Sequence, residues 1–319
     1  MNYNLSALRS IAIIIVVLGH SIILYDPQWN VYIPKDNCII FEYLKKCINV
    51  IQMPLFFSLS GYLYYFSVKK YSLKTLVKKK SKRLLIPYFI ICFLWMDPIK
   101  ILLSVPSYNI SLHLFKEQII GLNNGHLWFL YTLFAIFILF KTLYSFKFLS
   151  RKGGTIIFFI LSLLCNIYSY KFTIFSNVCS YTIYFYIGFL INKNSTYVNS
   201  YKTKIISVSI FFSVLSILLS LNDLIKYNIL TLIIAIFILV ILYSIDLEYI
   251  AKNSLMKIIG DNSFGIYLFH SPLIYITFTY WKNINPILVF VMNFLIFGSI
   301  ALVISLVLKK SHMKFIIGE

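Results

Sequence analysis

The chain has 319 residues, of which 60% are hydrophobic, 18% aromatic and only 12% charged. Soluble domains carry about a quarter charged residues, so this balance excludes an ordinary soluble protein and points to an integral membrane protein. The formal net charge of +19 would suit a nucleic-acid binder, but most of it falls in loops on one side of the topology below, and nucleic acid is excluded as a partner.

Apolar segments of about 20 residues fall at roughly 8–25, 48–67, 84–105, 127–146, 155–170, 179–192, 204–221, 227–244, 264–281 and 286–308. The fold class is therefore all-α, a polytopic membrane helix bundle of about ten transmembrane helices. No alternating polar and apolar strands suggest an outer-membrane barrel. With the amino terminus cytoplasmic, twenty of the 29 Lys and Arg residues lie in inside loops and eight outside, Arg9 being within the first span. The positive-inside bias places both termini in the cytoplasm. Residues 1–319 read as a single membrane domain.

In chain order, the first span, Leu8-Arg9-Ser10 through Gly19-His20-Ser21, holds two ionisable residues in an otherwise oily helix. Such residues are costly in a membrane and usually mark function. Eleven steps at about 100° come within about 20° of three full turns, so Arg9 and His20 share a face, about 16 Å apart along the axis. No basic region precedes the apolar run and no small-residue cleavage site follows it, so the segment reads as a retained helix. An outer stretch of roughly 26–47 follows, which with 106–126 would form a lid or an acceptor-binding surface. It leaves open a bridge between Cys38 and Cys47. The five cysteines show no metal-ligand spacing, and no metal site is expected.

The second span contains Met53-Pro54-Leu55-Phe56-Phe57-Ser58-Leu59-Ser60-Gly61-Tyr62. Pro54 frees a backbone carbonyl, and Ser60-Gly61 permits close approach of either another helix or a ligand. Next comes Lys78-Lys79-Lys80-Ser81-Lys82-Arg83-Leu84-Leu85-Ile86-Pro87-Tyr88. Lys80 and Arg83 share a face if the third helix begins here. They would hold either a nucleotide phosphate or lipid headgroups. Asp97, within the same span, is a candidate counter-ion for Arg9 or His20. The fourth span opens on Gly125-His126-Leu127-Trp128. Trp128 suits an interfacial aromatic belt, and His126 is either a wet interface residue or the lining of a polar cavity. The ninth opens on Gly260-Asp261-Asn262-Ser263-Phe264-Gly265-Ile266-Tyr267-Leu268-Phe269-His270. Ser263, Tyr267 and His270 form a polar stripe, which would serve a structural His–Tyr bond or a site.

Five of these motifs, in this order, resemble the acyltransferase-3 family of bacterial integral-membrane O-acyltransferases. They are Leu8-Arg9-Ser10 through His20; Phe56-Phe57-Ser58-Leu59-Ser60-Gly61-Tyr62; Lys80-Ser81-Lys82-Arg83 with Leu85-Ile86-Pro87-Tyr88; His126-Leu127-Trp128-Phe129-Leu130; and Ser263 through His270. The resemblance implies transfer of an acyl group, usually acetyl, from cytoplasmic acyl-CoA. The acceptor would be a hydroxyl of a surface polysaccharide or its lipid-linked precursor, and the location a bacterial cytoplasmic membrane. The Arg-x10-His pair falls on Arg9 and His20, with His20 as the implied base or nucleophile. The Arg-x-x-Arg element falls on Lys80 and Arg83, where Lys keeps charge but loses bidentate geometry. Together Arg9, Lys80, Arg83 and Ser60 would hold the acyl-CoA donor, and His126, Trp128, Tyr267 and His270 the acceptor or the oxyanion. No permanently bound cofactor is implied. The rival class is a glycolipid transporter or flippase, whose pathway would also be lined by polar residues; a rival within the family is transfer of succinyl groups.

Overall fold

The structure is a computed structural model that describes residues 3–106, 108–149, 151–171, 175–221 and 227–319. Lys226, one of the outward-facing cations of the proposed topology, lies outside the described residues. Among the described residues all regular structure is helical. Each of the ten apolar segments coincides with a helix: α1 (Tyr3–Ser21), α2 (Ile39–Tyr65), α3 (Leu73–Leu102), α4 (Gly125–Ser145), α5 (Lys152–Ile167), α6 (Ser176–Lys193), α7 (Lys202–Leu221), α8 (Tyr227–Ser244), α9 (Ser263–Tyr280) and α10 (Pro286–Lys310). Four helices among the described residues, within α1, α3, α4 and α10, are long and apolar enough to cross a membrane.

One boundary differs most from that expected. The third helix starts at Leu73, well before residue 84, and the basic motif lies inside it, on a π-helical turn at Ser81–Leu85. A second π turn spans Cys92–Met96. Each is followed two residues later by a proline, Pro87 and Pro98. Proline has no N–H to offer the carbonyl four residues back, so the ladder is reset there while the helix continues. The ninth helix starts at Ser263, because Ser254–Asp261 is a separate short helix ending at Asn262. All five cysteines are free, so the Cys38–Cys47 bridge left open by the sequence does not form.

The chain packs as two compact units. One comprises Met1–Leu8, Val50–Val77 and Ala135–Lys252. Here α2 crosses α6 backbone to backbone. A Cβ on Gly61 would lie 2.7 Å from the Phe185 carbonyl carbon, and one on Gly188 would lie 2.6 Å from that of Ser58. The glycine of Ser60-Gly61 therefore serves helix packing. Around the crossing the rings of Phe57 and Tyr181 stack at 4.7 Å, and Phe140 meets Phe185 at 4.6 Å.

The other unit comprises Arg9–Asn49, Lys78–Phe134 and Asn253–Glu319. Its centre is α9, tightly packed on α10 because Gly265 leaves room for Ser305. Buried Asn293 ties three helices together. Its amide donates to the Ser21 carbonyl of α1 at 3.2 Å and its oxygen accepts from Thr277 of α9 at 2.5 Å. A polar residue so satisfied fixes the relative register of helices that oily surfaces alone would leave free to slide.

Candidate active site

Three histidines from three helices converge in this second unit. The ring centroids of His20 (α1) and His270 (α9) lie 5.0 Å apart, edge to face. Those of His126 (start of α4) and His270 lie 5.9 Å apart. His270 is 1% exposed, and Tyr267, whose ring lies 5.6 Å from that of His126, is 2% exposed.

The hydrogen bonds determine which nitrogens carry protons. His270 Nδ1 faces the Ile266 carbonyl at 2.9 Å and that of Tyr267 at 3.0 Å. A carbonyl can only accept, so Nδ1 carries the hydrogen and Nε2 holds the lone pair. His270 Nε2 in turn lies 3.3 Å from His20 Nδ1, which also faces the Val16 carbonyl at 2.9 Å. With acceptors on both sides, His20 Nδ1 is the protonated nitrogen. His20 Nε2 therefore keeps its lone pair, and it has no hydrogen-bond partner among the described residues. That is the arrangement a base or nucleophile requires: one nitrogen anchored, the other open.

His126 is anchored by a consequence of Pro272. Proline at position 272 offers no N–H to Leu268, four residues earlier in α9, so that carbonyl loses its helical donor. His126 Nε2 donates to it at 3.2 Å. The Tyr267 hydroxyl donates to the His126 backbone carbonyl, so α9 grips this residue at both ends. Trp95 Nε1 donates to the next carbonyl of α9, that of Phe269, at 3.4 Å. Sequence reasoning missed Pro272; its signal was a proline inside an oily helix, two residues after a histidine.

At the other end of α1, Arg9 is half-buried and lies within electrostatic reach of Arg83 and Asp261. Arg83 also acts on Lys80. The structure thus brings Arg9, Lys80 and Arg83 together, which their positions in sequence alone do not require. The carboxyl-terminal turn packs here: Gly318 adopts a φ of +69°, and a Cβ on it would meet the Arg83 carbonyl oxygen at 2.5 Å. Only glycine accommodates both the left-handed backbone and the close approach.

Asp97 is not a counter-ion for Arg9 or His20. Its carboxylate accepts from the Tyr108 hydroxyl and from Gln118 Nε2 at 3.1 Å, and its cationic neighbour is Lys100. Burial and the adjacent carboxylate push the Tyr108 phenol well above its ordinary range. Tyr88 extends this network by donating to the Gln118 carbonyl at 2.5 Å. Asp97 and Gln118, with Phe93 and Phe115, line a cavity of about 190 Å³. Trp128 opens the regular part of α4 and is half-buried. Ser60 belongs to the first unit, and its hydroxyl donates to the Phe56 carbonyl of its own helix at 2.9 Å.

Comparison with known proteins places residues 2–310 on the model of a family described as an acyltransferase domain. Two curated relatives match part of the chain. Nodulation protein NolL of Sinorhizobium fredii is 31% identical over 145 residues, 45% of this chain and 37% of that protein. Nodulation protein NolL of Mesorhizobium japonicum is 29% identical over 143 residues, 44% of this chain and 36% of that protein. The match therefore spans little more than a third of the length of these relatives. No solved structure matches.

Proposed function

The chain belongs to the acyltransferase domain family, and on that premise we propose that it is a multi-pass membrane O-acyltransferase with His20 at its reacting centre. The donor is acyl-CoA, in the first instance acetyl-CoA, and the acceptor a hydroxyl of a surface polysaccharide or its lipid-linked precursor. In this reading ten spans cross a bacterial cytoplasmic membrane with both termini inside. Arg9, Lys80 and Arg83 then lie at the cytoplasmic face, where their clustered cations suit the phosphates of CoA. His20 lies in the outer half, about 16 Å farther along α1.

The observation that carries the proposal is the open Nε2 of His20. An alcohol is too weakly acidic to attack a thioester unaided, so its proton must be taken as the new bond forms. His20 Nε2 accepts that proton while the alcohol oxygen bonds to the thioester carbonyl carbon. The resulting oxyanion collapses, the C–S bond breaks, and the imidazolium returns its proton to the departing thiolate. Throughout, Nδ1 keeps its hydrogen, held by Val16 and His270. In the two-step variant Nε2 attacks the carbonyl first and CoA leaves before the alcohol arrives. His270 thus acts as a positioning residue, while His126 and Tyr267 shape the acceptor side.

The test is incorporation of label from radioactive acetyl-CoA into polysaccharide by membranes containing the full chain. Label on polysaccharide also separates an acyltransferase from a flippase. His20→Ala at equal membrane abundance should abolish incorporation; undiminished labelling would remove His20 from the chemistry.

A further inference from the structure

Three lysines are buried among the described residues, and two have fixed partners. Lys141 donates to the Val68 carbonyl at 2.9 Å. Lys100 lies beside Asp97 and 4.6 Å above the Tyr108 ring. Lys45, near the start of α2, is 4% exposed, yet no hydrogen bond or ion pair of its ammonium is found among the described residues. Its neighbour Lys46, by contrast, is exposed and pairs with Glu42 at 2.7 Å. A buried cation without a partner is costly, and such groups are retained where something else supplies the partner.

A second orphan lies on the same wall. Tyr25, in the turn Ile23–Tyr25 that leaves α1 just after His20, is 6% exposed, and its hydroxyl is sealed with no hydrogen-bond partner. Its ring packs 5.4 Å from that of Phe41, which precedes Lys45 by four residues and so shares its face of α2. Lys45 lies within electrostatic reach of His20 and of Asp26. Asp26 is itself held by the Gln28 backbone N–H at 3.0 Å, at the end of the same turn. A buried cation without a partner thus lies within electrostatic reach of the histidine whose Nε2 is open, and the unpaired Tyr25 hydroxyl sits on the turn that follows that histidine. Donors without acceptors fit a ligand that brings anionic oxygens.

We propose that Lys45 and Tyr25 form an anion subsite beside His20 that receives a carboxylate or phosphate group of a substrate. The group is carried either by the acyl chain being transferred or by the acceptor sugar, and the subsite sets which substrates dock against His20. This rests on the reading of His20 as the reacting centre, but it makes a separate claim about binding. The experiment measures affinity for the purified full chain in lipid nanodiscs with two pairs of probes. Succinyl-CoA against acetyl-CoA asks whether the anion belongs to the acyl group; methyl glucuronide against methyl glucoside asks whether it belongs to the acceptor. One anionic member should bind about tenfold more tightly than its neutral twin. Lys45→Met should remove that preference, Tyr25→Phe should reduce it several-fold, and Lys45→Arg should retain most of it. The His20→Ala chain, which cannot turn over, should keep the preference, so a failed subsite and a failed mechanism give different results. No preference in either pair, or a preference that survives in Lys45→Met, overturns the proposal.

Discussion

Replacing His270 by leucine tests whether the imidazole pair works as a unit. The substitution leaves His20 Nε2 in place but removes the acceptor 3.3 Å from Nδ1. In the resting state the loss is small, because the Val16 carbonyl at 2.9 Å still holds the Nδ1 hydrogen. As His20 takes a proton, its Nδ1–H becomes part of a cation, and hydrogen bonds to charged groups are worth about 1.5–3 kcal/mol against about 1 for neutral ones. Losing such a bond in the transition state alone would slow turnover roughly 10- to 100-fold. Because two acceptors share this hydrogen, the lower end applies, about tenfold. The loss should fall on kcat with KM for acetyl-CoA unchanged, since no donor contact is removed. His270→Gln, which returns an oxygen acceptor near the position of Nε2, should recover much of the rate. The assay is initial-rate transfer of labelled acetyl groups at matched membrane abundance. An unchanged kcat in His270→Leu, or a loss confined to KM, would refute the proposed role of His270.

Other expectations follow from the same unit. A Cβ on Gly265 would lie 2.6 Å from that of Ser305, so Gly265→Ala forces α9 and α10 apart. It should cost about 1–3 kcal/mol of stability, seen in thermal unfolding of solubilised protein, and Ser305→Gly should restore part of it. Pro272→Ala returns an N–H that competes with His126 for the Leu268 carbonyl. His126 should then loosen, and KM for the acceptor should rise while helix content by circular dichroism stays the same. Burial pushes the Lys45 ammonium down to about 8, from an ordinary value of 10.5. The folded state therefore binds fewer protons than the unfolded state between these pH values, and stability should rise with pH through that window by about 3 kcal/mol in all. Lys45→Met should abolish this rise in a series of unfolding measurements from pH 7 to 10.5, and a mutant that retains it would place its origin elsewhere.

How much of this was legible in the sequence depends on whether a feature is periodic. The shared face of Arg9 and His20 and the stripe of Tyr267 and His270 follow from helical spacing alone, and the structure places them in the same unit. Each of the ten oily segments coincides with a helix because burial of apolar length decides the matter locally. Lys45 could not be singled out, since adjacent Lys46 has the same chemistry. One is buried and the other exposed only because of what packs on α2. The extent of α3 was hidden by its prolines, which usually mark helix starts but here sit just after π turns within a continuing helix. The division into two units was equally hidden, because its boundaries cut through α1, α2, α3 and α4, and no change in composition marks those points.

One relation joins the two ends of the sequence to the proposed topology. Along α1, Ser10 donates to the Met256 carbonyl at 2.6 Å, Arg9 lies within reach of Asp261, and His20 meets His270 at 3.3 Å. The early end of α1 (Arg9 and Ser10) meets residues 256–261 and its late end (His20) meets His270, so α1 and the 254–280 segment run parallel. Two membrane helices are parallel only if the chain between them crosses an odd number of times. In the proposed topology seven spans, α2 to α8, lie between α1 and α9, and the positive-inside count assigns the first and ninth spans the same direction. Parallel packing also has a chemical consequence. It sets the Arg9 end of α1 beside the start of α9 and the His20 end beside the middle of α9, which carries His270. In the proposed function, the donor phosphates and the reacting imidazole would then occupy opposite ends of one two-helix seam, and a CoA arm lying along it would need no other guide from one to the other.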